Sequence, residues 1–185
     1  MRYILLSLVL ALSACANTMD KMSGIGQISE STDTFNDARV ITLSESWNNR
    51  TNDSDFASTM FGARWSSSTP ESIVIYLKFN SMAGAGSSYV IFDGIRVNID
   101  GEVRSFDAVG NTSFDSTSTS SSIYTSSRSA VVVPLDYLKK MLSEEDVRIR
   151  VLMNDSYDDI LFNWDVSGYG QVTAKGRLKE LVERI

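Results

Sequence analysis

The chain has 185 residues, 43% hydrophobic and 22% charged, with 17 basic against 23 acidic side chains for a formal charge of −6. That composition suits one globular domain with a substantial core, and the acidic balance argues against nucleic acid, whose affinity comes largely from phosphate contacts; nor does it favour anionic lipid electrostatically. There is no histidine and one cysteine, Cys15, which excludes His-activated nucleophiles, disulfide staples and the commonest zinc sites.

In chain order the first element is Met1-Arg2-Tyr3, the apolar run Ile4 to Leu12 and the small pair Ser13-Ala14 before Cys15. A basic start, a short apolar run and small residues before a cleavage point make a secretory signal, and the run falls short of the roughly 20 apolar residues that cross a bilayer. Leu12-Ser13-Ala14-Cys15 resembles the lipobox of bacterial lipoproteins. The resemblance implies cleavage before Cys15, diacylation of its thiol and acylation of the new amine, and two or more acyl chains anchor a protein stably. Ala16 and Asn17 follow instead of the aspartate that marks inner-membrane retention in that family, which implies the outer membrane, on its periplasmic face or at the cell surface. The expected organisation is a signal peptide at 1–14, a lipidated flexible tether at 15–36 and one β-rich domain at 37–185. The tether's small polar residues, with Gly24 and Gly26, give a reach of roughly 25 Å at about 5–6 Å × √n. The competing reading makes Ile25 and Ile28 part of an N-terminal edge strand.

From Ala38 onward, short strands alternate with turn residues, the pattern of an antiparallel β-sandwich-like domain with helical additions. Strands are expected at Val40–Glu45, Ser58–Trp65, Ile73–Phe79, Tyr89–Phe92 and Ile95–Ile99. Ile73, Ile75, Leu77 and Phe79 share one face of theirs. Asp100-Gly101 is the strongest hairpin signal, leading into Glu102–Phe106. A two-residue turn there places Val97 opposite Arg104; a three-residue loop ending in Gly101 places it opposite Val103, and keeping two valines on one face favours the second. Thr112–Ser129 holds 13 Ser or Thr among 18 residues and reads as an exposed loop leading into a polar edge strand near Ile123, or else as a hydroxyl-rich surface for binding or glycosylation. Ala130–Val133 then ends a buried strand. Pro134 opens a helix near 135–143 with Leu135, Leu138, Met141 and Leu142 at helical spacing. Val147, Ile149, Val151 and Met153 alternate with Arg148, Arg150 and Leu152 in a strand with one mostly charged face. The polar segment Asn154–Asp159 precedes a strand at Ile160–Val166, and an amphipathic helix near 172–184 places Leu178, Leu181, Val182 and Ile185 on one stripe.

The chemistry left is that of carboxylates and aromatics. No Gly-x-Ser-x-Gly elbow, Ser-x-x-Lys or phosphate-binding Gly-rich loop occurs, and Gly84-Ala85-Gly86 reads as a surface turn. Asn154, Asp155, Asp158 and Asp159 form the densest acidic segment, and Asn52, Asp53 and Asp55 the next; both lack the ligand order of an EF-hand and read as solvated turns ahead of calcium sites. Trp47, Trp65, Trp164, Tyr157 and Tyr169 are core residues in the plainer reading and stacking faces in the sharper one, with Tyr157 and Tyr169 the most open to the second. No cofactor, metal site or catalytic residue is expected, and Cys15 is the one site residue assigned, for lipid attachment. The chain thus reads as an outer-membrane-anchored envelope lipoprotein, a non-enzymatic binding or structural module for an envelope protein or glycan. The alternative is a carboxylate-dependent or metal-assisted hydrolase of envelope glycans, which needs two carboxylates across a cleft.

Overall fold

The computed structural model describes residues 24–50, 57–82, 89–119, 122–164 and 172–185. Eleven strands and two helices occur in the described residues: β1 (Ile28–Thr32), β2 (Arg39–Trp47), β3 (Asn49–Arg50), β4 (Ala57–Ser66), β5 (Ser72–Met82), β6 (Phe92–Ile99), β7 (Glu102–Asp107), β8 (Ser113–Ser118), β9 (Ile123–Pro134), α1 (Leu135–Ser143), β10 (Val147–Met153), β11 (Ser156–Leu161) and α2 (Ala174–Val182). The strands form a six-stranded sheet in the order β1-β2-β4-β5-β9-β8 and a five-stranded sheet in the order β3-β11-β10-β6-β7, with all pairs antiparallel. The mainly β, sandwich-like architecture expected from the alternation is therefore present, with both helices near their expected places.

Period-two alternation positions the two inner faces. Ile73, Ile75, Leu77 and Phe79 of β5 are buried, as are Val147, Ile149, Val151 and Met153 of β10, and one apolar cluster spans both sheets and both helices. Each fully buried Ile or Leu side chain contributes about 1.5–3 kcal/mol. Pro134 ends β9 and supplies the helix start, and α1 buries Leu135, Tyr137, Leu138, Met141 and Leu142. Asp136 in its first turn and Lys140 in its last complement the helix dipole. Among the described residues no helix is long and apolar enough to cross a membrane.

Several local expectations are overturned. The tether expected to run to residue 36 is instead ordered from β1 onward: Ile28 pairs with Leu43 and Thr32 with Arg39, and Arg39 clamps the strand through Nε–Glu30 Oε1 at 2.5 Å and Nη2–Glu30 Oε2 at 3.1 Å. The edge-strand reading of Ile28 is the right one, because a terminus orders where backbone pairing and an ion pair tie it down. The Asp100-Gly101 hairpin is present, but with the two-residue turn: Val97 faces Arg104 and Ile99 faces Glu102. Asp100 and Gly101 have φ of 52° and 90°, the doubly left-handed geometry of a tight primed turn. Val103 is 60% exposed, since β7 is an edge strand and buries Phe106 alone. In the Ser/Thr-rich stretch a strand does begin at Ile123, but as β9 inside the sheet; the edge is β8 (Ser113–Ser118), where an exposed loop was expected. The strand expected at Ile160–Val166 starts earlier, as β11 at Ser156. Finally, Ile185 lies beyond α2 and is 37% exposed; the helix buries Ala174 and Lys175 along with Leu178 and Leu181.

Candidate functional site

The side chains that leave the core form the candidate site on the outer face of the five-stranded sheet. Arg148 and Arg150 alternate with the buried residues of β10, so both point outward. Antiparallel pairing sets Arg150 opposite Arg96 on β6, and Arg148 opposite Asn98. On the far side of β10, Asp159 of β11 faces Arg150; on the far side of β6, Ser105 of β7 faces Arg96. Arg96, Asn98, Arg148, Arg150 and Asp159, with Val103, line a groove of about 390 Å³.

The three arginines are held differently. Arg150 is fixed from two sides: its Nε and Nη2 donate to Asp159 Oδ1 and Oδ2 at 2.7 and 2.8 Å, and its guanidinium carbon lies 4.0 Å from the centroid of the Tyr157 ring. Fork-to-carboxylate pairing and stacking on an aromatic face are the two contacts that guanidinium geometry favours. The hydrogen bonds it donates to Asp159 raise the pKa of Arg150 above its ordinary value, so its charge is permanent. Arg148 Nε donates to Asp146 at 3.2 Å in a solvent-exposed contact. Arg96 forms no ion pair among the described residues. Asn98 Oδ1 accepts the Gly101 N–H at 2.8 Å, which orients the amide and leaves its nitrogen with two donors to offer. The result is a cationic, donor-rich groove on a chain of formal charge −6.

The structure separates the residues singled out in the acidic segment. Asp158 and Asp159 are neighbours on β11 and face opposite ways. Asp158 is 4% exposed and accepts a hydrogen bond from Thr59 Oγ1 at 2.6 Å; Asp159 belongs to the arginine groove. Asn154 and Asp155 remain in the turn, where the Asn154 amide donates to Asp155 at 2.6 Å. Strand alternation thus breaks up the four-residue calcium reading of this segment, and no metal-holding group of three Asp, Glu, His or Cys occurs among the described residues. Asn52, Asp53 and Asp55, Gly84-Ala85-Gly86, Tyr169 and Cys15 lie outside the described residues. Of the carboxylates described, Asp158 is the one buried.

The aromatics divide between core and surface. Trp65 is 6% exposed, and its indole N–H donates to Pro70 O at 3.1 Å. Tyr157 and Trp164 are surface residues, the first stacked on Arg150 and the second under the ammonium groups of Lys175 and Lys179 at 4.7 and 5.2 Å. A second exposed aromatic pair, Tyr89 and Phe114, meets edge to face at 5.2 Å beside the free edge of β8. Arg148 and Arg150 were visible in the sequence as a charged strand face. Arg96 was not singled out; its place between two aliphatic neighbours, Ile95 and Val97, is the signal that could have found it.

Compared with protein-family models, curated proteins and solved structures, the chain finds no match.

Proposed function

We propose that the chain is a lipid-anchored protein of the bacterial envelope, exported on residues 1–14, attached through Cys15 to the outer membrane, and acting there as a non-enzymatic binding module. The N-terminal order of basic, apolar, small and cysteine residues supports the anchor, and two or more acyl chains make such anchoring stable. The observation that carries the binding role is the outward face of the five-stranded sheet, where Arg96, Arg148 and Asn98 present donors that the fold leaves unspent. An exposed cluster of arginines with a stacked tyrosine is the composition of an interaction surface.

Crosslinking and pull-down from intact envelopes test the reading, with the wild type beside Cys15→Ser. A reproducible partner is expected for the wild type and a reduced yield for the unanchored variant. Failure to recover any partner, combined with cleavage of envelope glycan by the purified protein, overturns the binding role. Mass spectrometry tests the anchor separately: an acylated Cys15 at the mature N-terminus is expected, and an unmodified Cys15 or a retained Met1 defeats it.

A further inference from the structure

The arrangement of charge in the groove is one that the fold does not need. Arg96 and Arg150 stand directly opposite each other on neighbouring strands, and like charges in that position destabilise a sheet. Asp159 neutralises Arg150, and Asp146 shares Arg148 from the solvent side. Arg96 has Ser105 as its other cross-strand neighbour, in a chain with 23 acidic residues to draw on. A cation kept opposite another cation, with no ion pair of its own among the described residues, leaves a charge that an anion from outside could complete.

We propose that this groove binds a phosphate monoester group, with Arg96 as the anchoring cation and Arg148 and the Asn98 amide as the flanking donors. The proposal rests on the binding-module reading and specifies its ligand chemistry. A carboxylate is satisfied by one guanidinium fork, as Arg150 and Asp159 already demonstrate. A phosphate monoester carries about −1.5 to −2 charges near neutral pH and three strong acceptor oxygens around a tetrahedral centre. It therefore draws on donors that converge from more than one direction. Arg96 and Asn98 on β6 and Arg148 on β10 provide that convergence, across strands about 4.8 Å apart. The groove's volume of about 390 Å³ falls within the roughly 300–1,000 Å³ of small-ligand sites.

The test uses the full lipidated chain in phosphatidylcholine nanodiscs, following the guanidinium nitrogen resonances of Arg96. Inorganic phosphate and glucose 6-phosphate form the soluble arm, nanodiscs containing phosphatidic acid the lipid arm, and succinate at matched ionic strength the control. Saturable shifts are expected in at least one phosphate arm, and which arm responds identifies a free ester or a lipid headgroup as the source. Succinate should bind at least tenfold more weakly. Followed through the Arg148 and Asn98 resonances, Arg96→Gln should weaken phosphate binding at least tenfold while its thermal midpoint holds or rises, because the repulsion with Arg150 is relieved. Silence in both phosphate arms, succinate binding as tightly as phosphate, or undiminished binding by Arg96→Gln overturns the phosphate assignment. If Arg96→Gln then also loses the partner recovered from envelopes, the binding-module reading stands without phosphate; if no partner is recovered even by the wild type and the purified protein cleaves envelope glycan, that reading falls too.

Discussion

Lys175 shows how one side chain can replace an expected apolar contact. It lies on the buried stripe of α2 with 0% exposure, packs beside Phe162 and Trp164 and donates from Nζ to the Glu144 carbonyl at 2.5 Å, just past the end of α1. The cation thus satisfies a carbonyl at a helix C-terminus while its stem fills core volume. Truncation by Lys175→Ala should cost about 2–4 kcal/mol in urea unfolding, through the lost packing. Lys175→Met keeps the volume and should stay within about 1 kcal/mol of wild type, because the desolvation cost of the ammonium disappears with its bond. Burial lowers the Lys175 pKa from its ordinary value of 10.5. Between the lowered value and 10.5 the unfolded chain binds more protons, so the contribution of this group to stability rises with pH across that window. The difference in unfolding free energy between wild type and Lys175→Met, measured over that alkaline range, should change in favour of wild type; a flat difference would contradict the assignment.

At the level of elements, two glycines fix how the five-stranded sheet closes at its β6–β7 edge. Gly101 completes the two-residue turn at φ 90°, with open space around the position where a Cβ would stand. Gly101→Ala therefore meets backbone strain alone and should cost about 1–2 kcal/mol. Gly94 has φ 145°, and a Cβ there would stand 2.3 Å from the Phe106 carbonyl oxygen, so β6 and β7 could not keep their spacing. Gly94→Ala should cost more, about 3 kcal/mol or above, and the order of the two denaturation midpoints checks the account. The elements also show where the sequence was readable. β5 and β10 alternate cleanly because both partner strands force one face into the core. The start of β11 is hidden from a hydrophobic pattern because its first inward residue is Asp158, which such a pattern reads as solvent. The hairpin register failed on the assumption that Val103 must be buried, although an edge strand tolerates an exposed valine. For the same reason the arginine groove was only half legible: one strand displays Arg148 and Arg150, but Arg96 joins them through a pairing between segments some fifty residues apart.

Taken as a whole, the sandwich is chemically lopsided. At one end of the six-stranded sheet the inner face carries Ile41, Leu43, Ala63, Trp65, Ile73, Ile75, Val131 and Val133; toward the other it carries Ser46, Thr59, Ser81, Thr125, Ser127 and Ser129, all buried. Ser127 Oγ accepts the Val90 N–H at 3.0 Å and Thr59 holds Asp158, while the buried hydroxyls of Ser46, Thr125 and Ser129 have no hydrogen-bond partner among the described residues. Thr59→Val removes a donor from a buried carboxylate and should destabilise the fold by about 1–3 kcal/mol. The double variant Thr59→Val with Asp158→Val should regain part of that loss, since a partnered polar pair can often be exchanged for apolar groups at little cost. A double-mutant cycle in guanidinium measures both; additive losses would show that the two side chains are not coupled.

The pairing of β1 with β2 sets a distance as well as a boundary. With Ile28 committed to the sheet and Gly26 N–H bonded to the Glu45 carbonyl at 3.1 Å, at most nine peptide steps would separate a lipid on the proposed Cys15 anchor from Gly24. Nine peptide steps pulled straight extend about 30 Å at most, comparable with the hydrocarbon thickness of one bilayer. Under the proposed Cys15 anchor, such a domain would stay within a thin shell above the membrane surface, and whatever its arginine face met would have to come within that shell.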